Sequence, residues 1–136
     1  VIIGANPSED PGSAEMIAEY LGGFDYHHFT LAVIVDHTVQ VEDLHMVAWQ
    51  ALGNTDPVRD HKMPSGNLLV IDATIKYYRK GGFARKWPNV VCSDFPTIES
   101  IDRKWDSLGL GSFIPSPSTN AMKLLRKGTD YIDEKI

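Results

Sequence analysis

The sequence contains a single cysteine, and this scarcity excludes several kinds of site. Cys92 has no second cysteine with which to form an internal disulfide, and a zinc site built from thiolates needs more than one. The five histidines form no HExxH or HxxxH pair. We therefore expect neither a disulfide nor a metal site in this chain. A lone cysteine is typical of a reducing compartment, so we expect a cytoplasmic protein.

Long apolar runs and basic stripes are also missing. No run approaches the roughly 20 residues of a transmembrane helix, and the apolar first five residues lack the basic flank of a signal peptide. The lysines and arginines are scattered, and the formal net charge is -5. These absences argue against a membrane span and against a nucleic-acid partner.

Short apolar runs do alternate with stretches of helical periodicity. The runs at residues 1–5, 29–36 and 68–73 read as buried strands, and helices are expected between them. This order predicts an α/β fold, a three-layer domain with a mostly parallel sheet flanked by helices. We assign residues 1–111 to that domain. Residues 112–136 have too few apolar residues for a core, and we expect an extended tail that packs on a partner subunit.

The helix expected after residue 43 carries an apolar stripe. Its members recur at positions i, i+3, i+4, i+7 and i+8, and they are Leu44, Val47, Ala48, Ala51 and Leu52. Such a stripe normally faces the core. We expect the helix to pack through it and the ring of Trp49 to be buried as well.

The sequence GNTDPVRD at the end of that helix combines residues with specific backbone preferences and several charged side chains. Gly53 and Asn54 tolerate left-handed backbone conformations that end helices. Two aspartates flank Arg59, so a carboxylate–guanidinium clamp is available. We predict a rigid structural corner built from Asn54, Asp56, Pro57, Arg59 and Asp60. A corner explains these residue types without invoking catalysis.

A long stretch without periodicity, residues 74–94, mixes aromatic residues, cations and glycines. Loops of this length inside a compact domain are usually functional or form an interface. Its cations have a simpler interpretation as a solvated loop, and the phosphate-binding motifs GxGxxG and GK[ST] are absent from the chain. The residues alone therefore assign no catalytic group.

Two motifs together resemble the carboxy-terminal domain of the UbiD family of decarboxylases. The first is a strand ending in Val35-Asp36, an acidic turn, a helix with Val47-Ala48-Trp49, and then Asp56-Pro57-Val58-Arg59-Asp60. The second is Asp72-Ala73-Thr74 followed by Lys76. The resemblance runs from about Phe29 to Pro117. The segments ALGN and LGLGSFIPSPS look closest to the phenylphosphate carboxylase-like branch.

The resemblance implies an aromatic acid decarboxylase or carboxylase that uses prenylated FMN with a divalent metal, Mn or Mg, and potassium. In that family the catalytic residues and the flavin and metal ligands lie in earlier domains, and no segment here matches them. This chain would contribute a pocket wall, closure and oligomer contacts. Its partners would be the remaining UbiD domains or a larger homologous subunit, in a homo- or hetero-oligomer, and the substrate an aromatic acid or phenol.

One departure from the family pattern concerns the pocket wall. Only the short segment HKMPSGNLLVI separates the Asp-Pro corner from Asp72, where the family has a longer apolar insert. Met63 and Pro64 are then the remaining candidates for substrate contact. The usual Thr-Arg before the corner is also replaced, by Gly53-Asn54.

These features leave three functions open. The chain can be a domain or small subunit of a prenylated-FMN enzyme, and its start with Val1, already in an apparent strand, favours a fragment or processed subunit. It can be a non-catalytic structural or regulatory subunit of such a complex. A free-standing ligand-binding module is the third alternative, and it requires a pocket complete within 136 residues.

Overall fold

A four-stranded sheet organises the first part of the chain. The computed structural model describes residues 1–24, 28–77 and 83–133. The strands are β1 (Ile2–Ala5), β2 (Leu31–Asp36), β3 (His61–Ser65) and β4 (Leu68–Ala73). They lie in the order β1-β2-β4-β3. The pairs β1–β2 and β2–β4 are parallel and β3–β4 is antiparallel. The predicted α/β class with a mostly parallel sheet is therefore confirmed.

Four α-helices accompany these strands in the described residues. They are α1 (Ser13–Gly22), α2 (Leu44–Asn54), α3 (Phe95–Asp102) and α4 (Ser118–Ala121). The chain divides into two compact units, the first formed by residues 1–87 and the second beginning at Pro88. The sheet, α1 and α2 belong to the first unit. None of these helices has both the length and the apolar composition that crossing a bilayer requires.

The core of the first unit lies between α1 and one face of the sheet. Ala32 and Ile34 of β2 are fully buried there, and Leu68 and Val70 of β4 lie beside them. Helix α1 contributes Ala14, Ala18 and Leu21. Side chains alternate between the two faces of a strand. Val35 and Ala73 therefore point to the other face, where they are also fully buried, and α2 packs against β2 and β4.

Helix α2 differs from the expectation drawn from its apolar stripe. Val47 is buried, but Leu44 is 65% exposed, Leu52 is 86% exposed and the ring of Trp49 is 43% exposed. The periodicity correctly placed Leu44 and Leu52 on the same side of the helix. The helix has no Asp, Glu, Lys or Arg to mark a solvent-facing side, so its pattern did not show which side meets the sheet.

Strand β3 was not expected from the sequence. Its segment HKMPS contains a proline and is largely exposed, as edge strands often are. It pairs only with β4 in the described sheet, and its register shifts between Lys62 and Ser65. The signal that could have revealed it is the turn-forming Gly66-Asn67 between β3 and β4.

The second unit has its own small core. Ile98 of α3, Ala121 of α4 and Leu124 of the following 3-10 turn are buried. The buried amide of Asn89 donates to the carbonyls of Arg126 and Gly128, at 2.8 and 3.2 Å. The assignment of residues 112–136 to a tail that packs on a partner stays a prediction, whereas the boundary between compact units lies at Trp87–Pro88.

Two glycines offer a matched test of this packing. An added Cβ at Gly22 would lie 2.6 Å from Cβ of Pro64, whereas one at Gly53 would meet nothing within 4 Å. We expect Gly22→Ala to lower the free energy of unfolding by roughly 1–3 kcal/mol, because α1 must move away from β3. Gly53→Ala should raise it by up to about 1 kcal/mol through helix propensity.

Urea unfolding followed by tryptophan fluorescence measures both values. Unchanged stability of Gly22→Ala would contradict the described contact between α1 and β3, and a loss of stability in Gly53→Ala would contradict the open space around Gly53.

Candidate functional site

The end of α2 is fixed to the end of β4 by a side chain. The amide of Asn54 donates to Oε1 of Gln50 at 2.8 Å and to the carbonyl of Ala73 at 3.0 Å. Thr55 then adopts an extended conformation. The expected left-handed helix end at Gly53-Asn54 is therefore wrong: Asn54 ends α2 through its hydrogen bonds.

Asp56 holds the turn that follows. Its Oδ1 accepts the backbone N–H groups of Val58 and Arg59, at 2.9 and 3.1 Å. These two hydrogen bonds lower the pKa of the Asp56 carboxyl. The carboxylate of Asp56 thus stabilises the backbone of the turn. The side chain of Arg59 pairs with a different residue.

That partner is Asp60, whose carboxylate is buried. Nε of Arg59 donates to Oδ1 at 2.7 Å and its terminal nitrogen donates to Oδ2 at 2.5 Å, a bidentate pair. Oδ2 also accepts the N–H of Asp56 at 2.8 Å. Asp60 raises the pKa of Arg59 mainly through the hydrogen bond. The predicted clamp exists, but it joins Arg59 to one of the two aspartates.

The second sequence motif meets the corner at this point. The N–H of Asp72 donates to the carbonyl of Asp60 at 2.8 Å. Oδ1 of Asp72 in turn accepts both the N–H and the hydroxyl of Thr74, at 3.0 and 2.6 Å. The structure therefore brings together Asp60 and the motif residues Asp72 and Thr74, which the sequence separates by more than ten positions.

Lys76 occupies the centre of this cluster. Its ammonium donates to the carbonyls of Asp72 and Thr74, at 3.0 and 2.7 Å. Nζ also lies 3.2 Å from Oδ1 of Asp72 and 3.9 Å from Oδ1 of Asp60. Burial lowers the pKa of Lys76, and the two carboxylates offset part of that effect.

These side chains form one end of a cavity of about 360 Å³. The other walls come from the loop after β1, from α1 and from residues after β4. The lining residues are Pro7, Pro11, Ala14, Glu15, Ala18, Arg59, Asp60, Lys62, Val70, Asp72, Thr74, Ile75, Lys76, Tyr77, Phe83 and Ala84. We call this space the strand-end cavity, because it opens where β1 and β4 end. Ligands of parallel sheets commonly bind at that edge.

The charged groups in the strand-end cavity are paired. Arg59 pairs with Asp60, Lys76 with Asp72, and Lys62 with Glu15. The described residues contain no cluster of three His, Cys, Asp or Glu side chains that could hold a metal ion. The described lining therefore combines neutralised charges with apolar side chains, a composition suited to a wall or to a small, mainly apolar ligand.

Aromatic residues of the 74–94 stretch complete the cavity, and sequence reasoning did not select them. Arg59 lies 5.1 Å from the ring centroid of Phe83, and Phe83 lies 5.2 Å from Trp87. Arg85 is 5.4 Å from each of these two rings. The unusual length of the stretch was the available signal, since it indicated a functional or interface-forming loop.

The two predicted pocket residues lie elsewhere. Met63 and Pro64 belong to β3, at the edge of the sheet, and neither lines the strand-end cavity. Met63 is 55% exposed. Pro64 is the residue that faces Gly22 at the end of α1. Their proposed contact with substrate would have to be made at this edge.

The Arg59–Asp60 pair yields a stability prediction. Arg59→Ala leaves a buried carboxylate with one remaining described hydrogen-bond donor, so unfolding should become easier by roughly 1–3 kcal/mol. Arg59→Lys should recover only part of the lost stability, because an ammonium group cannot make the bidentate contact of a guanidinium. Arg85→Ala is the matched control, and it should change stability by less than about 1 kcal/mol. Equal stability of Arg59→Ala and the unaltered chain would refute the pairing.

Lys76 yields a pH prediction. Its pKa is lower in the folded chain than the ordinary lysine value of 10.5, so the unfolded chain binds this proton more tightly. The contribution of Lys76 to stability should therefore rise as the pH rises through the window just below 10.5. Urea unfolding of the unaltered chain and of Lys76→Met, compared across that window, isolates the effect. The free energy of unfolding of the unaltered chain minus that of Lys76→Met should rise with pH. A difference that stays flat or falls with pH would contradict the prediction.

Three kinds of relative were found by comparison with known proteins. The family model described as 3-octaprenyl-4-hydroxybenzoate carboxy-lyase C-terminal domain matches residues 1–82. A protein of Archaeoglobus fulgidus is 32% identical over 115 residues, which cover 72% of this chain and 24% of that protein. A protein of Aquifex aeolicus is 29% identical over 116 residues, covering 74% and 24%. The chain thus spans about a quarter of the length of these relatives.

A solved structure is also similar. It is the open form of the vanillic acid decarboxylase of Sedimentibacter hydroxybenzoicus, with 19% sequence identity and a TM-score of 0.45 over 70% of this chain and 24% of that one. The family model covers more than half of the 136 residues and includes both motifs that meet at the strand-end cavity. The chain belongs to the UbiD family, and its residues 1–82 match the carboxy-terminal domain of that family.

Proposed function

We propose that this chain is the carboxy-terminal domain or small subunit of a UbiD-like aromatic acid decarboxylase or carboxylase. The observation that carries the proposal is the family match over residues 1–82, within which both motifs converge on one cluster of paired charges. The phenylphosphate carboxylase-like branch and a substrate that is an aromatic acid or phenol are part of the same proposal.

The described residues do not fit the role of holding the cofactor. Prenylated FMN needs groups for its phosphate, and its Mn or Mg and potassium need oxygen ligands, but the cations and carboxylates of the strand-end cavity neutralise one another. We therefore assign the flavin, the metals and the catalytic residues to the other UbiD domains or to a larger homologous subunit. When bound there, the flavin would supply the electron sink for loss of carbon dioxide.

This chain would then act through its surfaces. Phe83 and Tyr77 line the strand-end cavity, and the guanidinium of Arg59 lies 5.1 Å from the ring centroid of Phe83. A wall of this kind excludes water and shapes the space beside a reacting group. Met63 and Pro64 remain the proposed substrate contacts, and they would make this contact at the β3 edge of the sheet, where Met63 is 55% exposed.

The test is to isolate the chain from its natural source under non-denaturing conditions, together with whatever it binds. We expect a complex with a larger UbiD-type chain, a flavin absorption spectrum, and exchange of labelled bicarbonate into an aromatic acid. A stable complex that contains the remaining domains but neither flavin nor exchange would overturn the proposal.

The alternative is a non-catalytic structural or regulatory subunit of the same complex. The mutual neutralisation of the cavity charges favours it, since no described lining charge is left for a substrate. Met63→Ala separates the two functions in the assembled complex. A fall in turnover in Met63→Ala supports contact with substrate and rules out the non-catalytic subunit. Unchanged turnover in both Met63→Ala and Arg59→Lys supports the non-catalytic subunit.

A further inference from the structure

The described lining of the strand-end cavity comes from the first unit. It runs from Pro7 to Ala84, and the first unit contains residues 1–87. The cavity measures about 360 Å³, whereas an apolar cavity of about 150 Å³ already holds benzene. The space therefore has room for one aromatic ring with a substituent. It is separate from the β3 edge, where Met63 and Pro64 lie.

Apolar side chains from three parts of the chain line this space. Ala14 and Ala18 come from α1, Val70 comes from β4, and Ile75 and Phe83 come from the residues after β4. The two alanines are small, so they leave a gap beside the sheet that larger side chains on α1 would fill. A flat ring suits such a gap, and the ring of Phe83 offers it edge or face contact.

The charged part of the lining has no net charge. The described lining contains three acidic and three basic side chains, and each basic one lies in an ion pair with an acidic one. A ligand that carries a carboxylate would lose water on entry and would gain no unpaired positive charge in return. A neutral ligand avoids this cost.

One acceptor in the lining has no donor. Asp72 lies two residues after Val70 in β4, so its side chain points to the same face of the sheet as Val70, which packs with α1. Oδ1 of Asp72 accepts Thr74 and contacts Lys76, but Oδ2 has no hydrogen-bond partner among the described residues. A free carboxylate oxygen attracts a hydroxyl group and repels a second carboxylate.

We propose that the strand-end cavity binds a neutral phenol and discriminates against the corresponding aromatic carboxylate. A phenolic hydroxyl has a pKa near 10, so it is protonated at neutral pH and can donate to Oδ2 of Asp72. The ring then packs against Ala18 and Phe83. The meaning of this preference rests on the proposed function: a hydroxyaryl acid that loses carbon dioxide and takes up a proton becomes a phenol, so the cavity holds the decarboxylated form.

Four ligands of similar size separate the contributions of ring, hydroxyl and charge. Phenol has a ring and a hydroxyl, anisole lacks the donor, cyclohexanol lacks the aromatic ring, and benzoate carries the charge. Each is titrated into the whole chain at neutral pH, and amide shifts are followed by NMR. We expect a Kd for phenol of about 1 mM, as for a ligand of few atoms. Anisole and cyclohexanol should bind several times more weakly, and benzoate roughly tenfold more weakly.

Glu15→Gln tests the role of charge, and the same helix offers a matched control. Glu15 lines the cavity and is 65% exposed, so the substitution should leave the fold intact while it removes the acidic partner of Lys62. The lining then gains one positive charge, and benzoate should bind roughly threefold more tightly while phenol is unaffected. Glu19→Gln removes the same charge from α1 at an exposed position outside the lining. It should change neither affinity, and circular dichroism verifies the fold of both variants.

The location of the amide shifts completes the test. Phenol should shift the amides of Ala18, Asp72 and Thr74 most strongly. The proposal is overturned if none of the four ligands binds, if the shifts are confined to the second unit, if benzoate binds as tightly as phenol, or if Glu15→Gln behaves like Glu19→Gln. These measurements involve neither flavin nor turnover. A failure here therefore leaves the proposed reaction standing, and failure of the reaction leaves the ligand preference standing.

Discussion

The buried carboxylate of Asp60 is the constraint on which the first unit depends. Its two oxygens accept the guanidinium of Arg59 and the backbone N–H of Asp56, while its carbonyl accepts the N–H of Asp72. One residue therefore joins the turn after α2 to the end of β4. The ammonium of Lys76 lies 3.9 Å from the same carboxylate and adds a second positive charge beside the buried Asp60.

This arrangement has a consequence for function. Charges that neutralise one another hold backbone in place, but they offer little to a ligand, and the described lining of the strand-end cavity is of this kind. Under the proposed function, this UbiD-family chain shapes a site whose reactive groups belong to other domains.

Local sequence predicted much of the fold. The β-branched runs gave β1, β2 and β4, and the residues of the corner were identified because proline, aspartate and asparagine have specific backbone preferences. The edge strand β3 was missed, since its exposed, proline-containing segment has no strand-like pattern. For the site, one motif identified Arg59 and Asp60 and a second identified Asp72, Thr74 and Lys76, but the motifs did not show that the two groups meet. They did not show that Phe83 joins them or that Met63 and Pro64 stay outside the cavity.

The sequence by itself determined the family, the class of fold and which residues form the corner, because these depend on motifs, on periodicity and on local backbone chemistry. Tertiary structure decided the rest. Arg59 has aspartates on both sides in the sequence, and in the structure its guanidinium pairs with the buried Asp60, whose carbonyl accepts the N–H of Asp72 in β4. Periodicity likewise showed that Leu44, Ala48 and Leu52 share a side of α2, but only the position of the sheet decided that this side faces outward.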